Sequence, residues 1–259
     1  MNEREPLRLA LVGASGRMGR RLLELAGGRD DVDIVSVAQH RTPPSLPAGS
    51  TAEISTDLDQ VVSAGEVVVD FSAPAAVDRV LPACLHHRRP YLVASTGLDE
   101  AQQQTLRRAA EHVPVLVAAN LSVGVSVLAA LVREACTRLA EFDVEIVEAH
   151  HRHKRDAPSG TALMLYEAAA RARPELVAAA GRSGQALARR PNEVGLHAVR
   201  GGDVAGEHHV SLLGDGERLE LSHQSHDGFV FARGALRAAR WLRPRPPGLY
   251  AMADVLATP

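Results

Sequence analysis

Leu7-Arg8-Leu9-Ala10-Leu11-Val12 runs directly into Gly13-Ala14-Ser15-Gly16-Arg17-Met18-Gly19. The first six residues are a short apolar run, the pattern of a buried strand. From Arg17 onward, Met18, Leu22, Leu23 and Leu25 recur at helical spacing, which predicts a helix over 17–26. Gly13 and Gly16 separate the two, and Gly19 inside the helix completes the spacing GxxGxxG. A strand that turns on glycine into a helix presents unpaired N–H groups at a helix N-terminus, and a phosphate needs that arrangement. Glycine also serves such turns for steric reasons alone, so the flanking sequence decides. Here the loop follows the first strand of a regular alternation, and dinucleotide binding is expected.

That alternation continues outward. Strands are predicted at 32–38, 67–71, 91–94 and 114–118, and helices at 75–87 and 100–111. A loop with three prolines spans 41–50. Strands alternating with helices of this length predict a parallel, doubly wound sheet. After Asn120 the character changes. A long apolar helix is predicted at 123–139, a strand at 144–149 ending in histidines, and a helix at 161–172. Strands follow at 196–200, 207–213 and 218–222, separated by glycine turns such as Gly214-Asp215-Gly216, and a polar, basic loop occupies 181–192. A helix returns at 231–241. The expected fold is therefore α/β: a Rossmann-like doubly wound parallel sheet built from 1–121 and 231–259, with an inserted α+β substrate and oligomerisation domain at 122–230.

Composition narrows the function classes. Twenty-nine basic and 31 acidic residues leave a net charge of -2 over 259 residues. That excludes a strongly basic nucleic-acid binder and offers no charge excess for an anionic membrane surface. No apolar stretch has the length of a membrane span, and the charged first residues lack a signal-peptide core. Cys84 and Cys136 stand alone, outside any CxxC spacing, as suits a reduced intracellular chain. A cytoplasmic protein is expected. Lys154 is the single lysine. Unlike arginine, a lysine ammonium is readily tuned to lose its proton.

Lys154 lies in the densest chemical segment, Glu148-Ala149-His150-His151-Arg152-His153-Lys154-Arg155-Asp156-Ala157-Pro158-Ser159-Gly160-Thr161. The preceding strand delivers this segment to a loop at its C-terminal end, where α/β enzymes place their chemistry. Imidazole exchanges protons near neutrality. Neighbouring cations are expected to depress the lysine's pKa and to attract a dicarboxylate. Ser159-Gly160-Thr161 opens a helix whose N–H groups offer a second anion site. His-His-x-His lacks the thiolates or ordered carboxylates of a zinc site, so no metal is expected. His208, His209, His223 and His226 read as structural or exposed, with an approach of His223 to the cleft left open. At the end of the second strand, Gln39-His40-Arg41 carries no carboxylate to hold a ribose 2′-hydroxyl or repel a 2′-phosphate. This favours NADPH over NADH.

These motifs closely resemble the 4-hydroxy-tetrahydrodipicolinate reductase family, also called dihydrodipicolinate reductases. The resemblance rests on residues 13–19, Val69-Asp70-Phe71-Ser72, Ser95-Thr96-Gly97, 118–125 and 148–161. It continues through 200–208 and Gly248-Leu249-Tyr250-Ala251-Met252-Ala253-Asp254-Val255-Leu256. The 148–161 segment is highly specific to that family; the glycine loop is not.

The resemblance implies reduction of a cyclic hydroxy-dicarboxylate with loss of water, by hydride from NADPH or NADH, in lysine and diaminopimelate biosynthesis. It implies a homotetramer. It makes His150 the proton donor and acceptor and Lys154 a proton donor. It assigns His151, Gly160 and Thr161 to the substrate carboxylates. Gly13, Ala14, Ser15, Gly16, Arg17 and Met18 fall on the cofactor side, with Gln39 and His40, Ala94, Ser95 and Thr96, and Ala118, Ala119, Asn120 and Leu121. Three positions depart from the common pattern. Ala94-Ser95-Thr96-Gly97 stands for Gly-Thr-Thr-Gly, Gln39 for an acidic residue, and Leu121 for Phe. All three lie on the cofactor side. A reductase of another cyclic imino dicarboxylate and a non-catalytic dinucleotide sensor remain the alternatives.

Overall fold

The computed structural model describes residues 5–39, 43–182, 184 and 188–257. His40 and Arg41, expected beside the cofactor ribose, lie outside the described residues, as does part of the 181–192 loop. The chain forms two compact units, 1–123 with 229–259, and 124–228. No helix among the described residues is long and apolar enough to cross a membrane.

The first unit is a seven-stranded sheet. Its strands are β1 (Leu7–Val12), β2 (Val32–Ala38), β3 (Glu53–Ser55), β4 (Val67–Asp70), β5 (Tyr91–Val93), β6 (Pro114–Val117) and β12 (Gly248–Tyr250). All pair in parallel, in the order β12-β6-β5-β4-β1-β2-β3. A sheet covered by helices on both faces needs strands apolar on both faces, and β4 is buried along its whole length. Alternate residues of β1 serve opposite cores. Leu7, Leu9 and Leu11 pack with α1 (Arg17–Ala26), α7 (Val230–Leu242) and α8 (Met252–Ala257). Ala10 and Val12 pack with α2 (Leu58–Ala64), α3 (Val77–His86) and α4 (Glu100–Ala109). The chain winds outward from β1 in one direction through β2 and β3. From β4 it winds in the other. The glycine loop after β1 therefore sits at the point where the winding reverses.

Several short elements escape the sequence pattern. β3, β12 and α8 have three, three and six residues, and seven-residue α2 is defined by its cap, the Asp57 carboxylate accepting from the Asp59 and Gln60 amides. The helix expected at 75–87 opens instead with a 3₁₀ turn, Pro74–Ala76, before α3 begins.

The second unit is a five-stranded mixed sheet in the order β11-β10-β7-β9-β8. Its strands are β7 (Asp143–His150), β8 (Val177–Ala180), β9 (Glu193–Arg200), β10 (Glu207–Leu213) and β11 (Arg218–Gln224). β8 is absent from the sequence prediction. Helices α5 (Val123–Arg138) and α6 (Gly160–Ala172) bury their apolar sides on one face, against Val144, Ile146, Val194, Leu196, Val210 and Leu212. The opposite face exposes Val147, Val199 and Leu213. β7 is longer than predicted. His150 is its last residue, paired with Arg200 of β9 and buried, so it belongs to the strand and not to the loop expected there.

Candidate active site

In the first unit, four separate strand ends converge. The Phe71 N–H donates to the Val12 carbonyl at 3.0 Å, the Ala94 N–H to Asp70 at 2.9 Å, and the Ala118 N–H to Val93 at 3.0 Å. The glycine loop, the Ala94–Thr96 turn and the Ala118–Leu121 segment thus share the carboxyl edge of one sheet. Buried Asp70 holds the middle of this edge, accepting from the Tyr91 hydroxyl at 2.6 Å and from the Ser72 N–H at 2.8 Å. Gln39 lies half-buried just past β2, its N–H bonded to the Ser55 carbonyl at 2.8 Å.

The glycine loop leaves room for backbone groups only. Gly13 has φ +82°, and a Cβ there would lie 2.6 Å from both the Phe71 carbonyl carbon and the Ser72 nitrogen. A Cβ at Gly19 would collide with the Gly13 carbonyl oxygen. Helix α1 starts without a side-chain cap at Gly16 and without an acidic residue in its first turn. Its first N–H groups and its positive end are thus open to an anion. Ser95 is buried, and its Oγ has no hydrogen-bond partner among the described residues. Ser15 and Arg20 also border a cleft of about 700 Å³ with Pro43 and Leu46. These features fit a dinucleotide: amides for its phosphates, an unused hydroxyl, and a groove beside the loop.

In the second unit, β7 alternates Val144, Ile146, Glu148 and His150 on its buried side. Glu148 is fully buried and accepts four hydrogen bonds. Arg200 donates to both carboxylate oxygens at 2.7 Å, His150 Nδ1 lies 2.6 Å from Oε2, and the Ser159 N–H donates to Oε1 at 3.0 Å. Burial opposes ionisation, but Arg200, His150 and the Ser159 amide outweigh it and lower the carboxyl's pKa. Burial also lowers the His150 pKa from its ordinary value, against the pull of Glu148. Burial thus favours the neutral imidazole.

His208 of β10 stacks edge-on to His150, with ring centres 5.2 Å apart. Its Nε2 lies 3.2 Å from Ser159 Oγ. Burial pushes its pKa down to about 4. Ser159 caps α6 by accepting from the Ala162 amide at 3.1 Å. Gly160 and Thr161 follow as the first residues of that helix. The His151 N–H donates to Val204, and its Nδ1 is buried without a partner among the described residues. His151 and His153 border an open cavity of about 660 Å³ with Arg152, Gly202 and Asp203.

Lys154 does not stand among cations alone. Its Nζ donates to both oxygens of Asp156, at 2.8 and 2.7 Å, and this bond is the main cause lowering the Asp156 pKa. The expected cationic setting is thus an ion pair. The sequence assigns no role to Glu148 or Arg200 and reads His208 only as structural or exposed. Only the placement of Glu148 is visible locally, two residues before His150 on an alternating strand. One group among the described residues brings three metal-ligand atoms within 4.8 Å, Asp59, His86 and His87 at the protein surface. None of the 150–153 histidines belongs to it.

A doubly wound sheet with a glycine loop at its reversal point, joined to an α+β unit bearing a histidine–lysine segment, defines a Rossmann-like nicotinamide-dependent oxidoreductase. Comparison narrows the class. Residues 7–121 match the family model described as dihydrodipicolinate reductase, N-terminus, and residues 124–256 match its C-terminus. A 4-hydroxy-tetrahydrodipicolinate reductase of Zymomonas mobilis is 41% identical over 99% of each chain. One of Thiobacillus denitrificans is 45% identical over 96% of this chain and 98% of that protein. A solved dihydrodipicolinate reductase of Paenisporosarcina, with dipicolinate bound, shares the fold at TM-score 0.80 and 24% identity, covering 95% of this chain and 97% of the other. The chain belongs to the dihydrodipicolinate reductase family.

Proposed function

We propose that the chain reduces 4-hydroxy-tetrahydrodipicolinate to tetrahydrodipicolinate, with loss of water, in lysine and diaminopimelate biosynthesis. The observation that carries this reading is the 148–161 segment itself. A histidine held on a buried carboxylate, a lysine paired with Asp156 and the start of α6 lie within 14 residues. A bound nicotinamide would supply hydride; with the hydroxyl lost as water, one carbon of the conjugated imine takes that hydride and the neighbouring carbon takes a proton.

Lys154 and His150 serve that proton transfer: Lys154 Nζ is the positioned proton donor, and His150 Nε2 accepts a proton and returns it once charged. His151 and the first residues of α6, Gly160 and Thr161, hold the substrate carboxylates and so orient the ring. The amides after Gly13 hold the cofactor's phosphates. The Ala94–Thr96 and Ala118–Leu121 segments would supply further cofactor contacts. Gln39 brings no carboxylate against a 2′-phosphate, so NADPH is preferred to NADH. The inserted domain carries the substrate site. Its exposed sheet face, with Val147, Val199 and Leu213, buries itself in a homotetramer.

The decisive assay generates the substrate in situ with the preceding synthase and follows oxidation of each cofactor. NADPH consumption is expected; no turnover with either cofactor refutes the reading. His150→Ala and Lys154→Ala should each lower turnover at least about 100-fold while leaving cofactor affinity near normal. Light scattering of the purified chain tests the tetramer.

A further inference from the structure

We propose that the pair of buried Glu148 and half-buried Arg200 is a positioning device for both proton-carrying side chains. Glu148 fixes His150 with its proton on Nδ1, leaving Nε2 as the atom that exchanges a proton. Arg200 fixes the loop from which Asp156 holds Lys154. This rests on the roles given to His150 and Lys154 above.

Acceptor counting carries the first half. A carboxylate has no proton to donate, and each Glu148 oxygen is already met by an Arg200 N–H at 2.7 Å. At a contact of 2.6 Å, His150 Nδ1 must therefore be the donor. A neutral imidazole has one N–H, so its lone pair lies on Nε2. The space beside Nε2 is kept by a glycine: a Cβ on Gly206, whose φ is +154°, would come within 3.1 Å of it.

The second half follows the arginine. Arg200 Nη2 donates to a Glu148 oxygen at 2.7 Å and to the Asp156 main-chain carbonyl at 2.6 Å. The Asp156 side chain binds Lys154 Nζ through both oxygens. One guanidinium thus ties the strand bearing His150 to the loop bearing Lys154. A buried ion pair gains little stability over an apolar substitute, whereas the placement of two proton carriers on one scaffold needs directional bonds.

The charged and titratable groups facing His150 are Glu148 on its own strand, Arg200 on β9, His208 on β10 and Lys154 on the following loop. Of these, only Glu148 raises its pKa. Removing that carboxylate must move the His150 titration to lower pH, an effect that a merely structural role does not produce.

Two measurements test this. Long-range ¹H–¹⁵N NMR of histidine-labelled protein at pH 7.5 should show the Nδ1–H form for His150 in the unsubstituted chain. In Glu148→Gln, kcat should fall about 100-fold with KM within about threefold, and the His150 limb of the pH–rate profile should move about one unit toward acid. An Nε2–H form in the unsubstituted protein overturns the proposal. So does a Glu148→Gln profile with an unmoved limb. Should Glu148→Gln not fold, the NMR measurement still decides the first half. Asp156→Asn, exposed at the surface, decides the second: kcat should fall about tenfold with the His150 limb unmoved, and unchanged kcat refutes the Lys154 arm. Full turnover in His150→Ala would instead sink the functional reading and leave the tautomer result standing.

Discussion

Gly13→Ala separates a phosphate cradle from a merely steric turn. Gly13 has φ +82°, where an L-residue costs about 1–2 kcal/mol. The new methyl would lie 2.6 Å from the Phe71 carbonyl carbon and the Ser72 nitrogen. Ordinary contact begins at 3.4 Å, so the backbone leaving β4 must yield about 0.8 Å, the difference of the two. Both neighbours are main-chain atoms and cannot rotate away, and overpacking of this kind costs a further 1–3 kcal/mol or so. The expected loss is about 3 kcal/mol. Gly49→Ala is the control. Its φ is +81°, but nothing lies within 4 Å of the added carbon, so strain alone acts and about 1 kcal/mol is expected.

Urea unfolding followed by the fluorescence of Trp241, which packs against the core that includes β1, reports the unit that holds both glycines. The same displacement disturbs the Phe71 N–H bond to Val12 and the Ser72 N–H bond to Asp70. NADPH should therefore bind at least about tenfold more weakly to Gly13→Ala, near 1.4 kcal/mol, and normally to Gly49→Ala. Equal destabilisation by the two substitutions would refute the contact argument. Destabilisation with unchanged cofactor affinity would refute the phosphate reading of the loop.

His208 titrates at about 4 when folded and near 6.5 when unfolded. Its contribution to stability is complete above pH 6.5 and is lost as pH falls toward 4, in total about 3 kcal/mol. Burial also lowers the pKa of His150 and His223, so the measurement is the difference in acid-unfolding slope between the unsubstituted chain and His208→Phe, which should be flatter; identical slopes contradict it. Gly234→Ala in α7 drives a methyl into the Leu121 carbonyl. It should weaken NADPH binding by titration about tenfold, and normal affinity would remove Leu121 from the cofactor's surroundings. Gln39→Asp adds a carboxylate where a 2′-phosphate is expected, so the ratio of NADPH to NADH efficiency should fall about tenfold or more; an unchanged ratio places the 2′ position elsewhere.

The glycine loop and the alternation after it are readable because each element of the parallel sheet carries its own apolar pattern. β12 has no such pattern. Its three residues become a strand only because β6 lies beside them, pairing Gly248 with Pro114 and Tyr250 with Leu116. The site divides in the same way. His150 and Lys154 stand out locally, by density and residue type. The groups that give them geometry come from neighbouring strands: Arg200 lies opposite His150 through β7–β9 pairing, and His208 lies opposite Glu148 through β7–β10 pairing. Those partners are 50 and 60 residues away in the chain, and no local periodicity carries a register across such distances. Glu148 alone was within reach. A carboxylate in the buried half of the alternation Val144, Ile146, Glu148, His150 is too costly to leave unpaired. Its presence there already requires a cation and further donors from elsewhere, and β9 and the N-cap of α6 supply them.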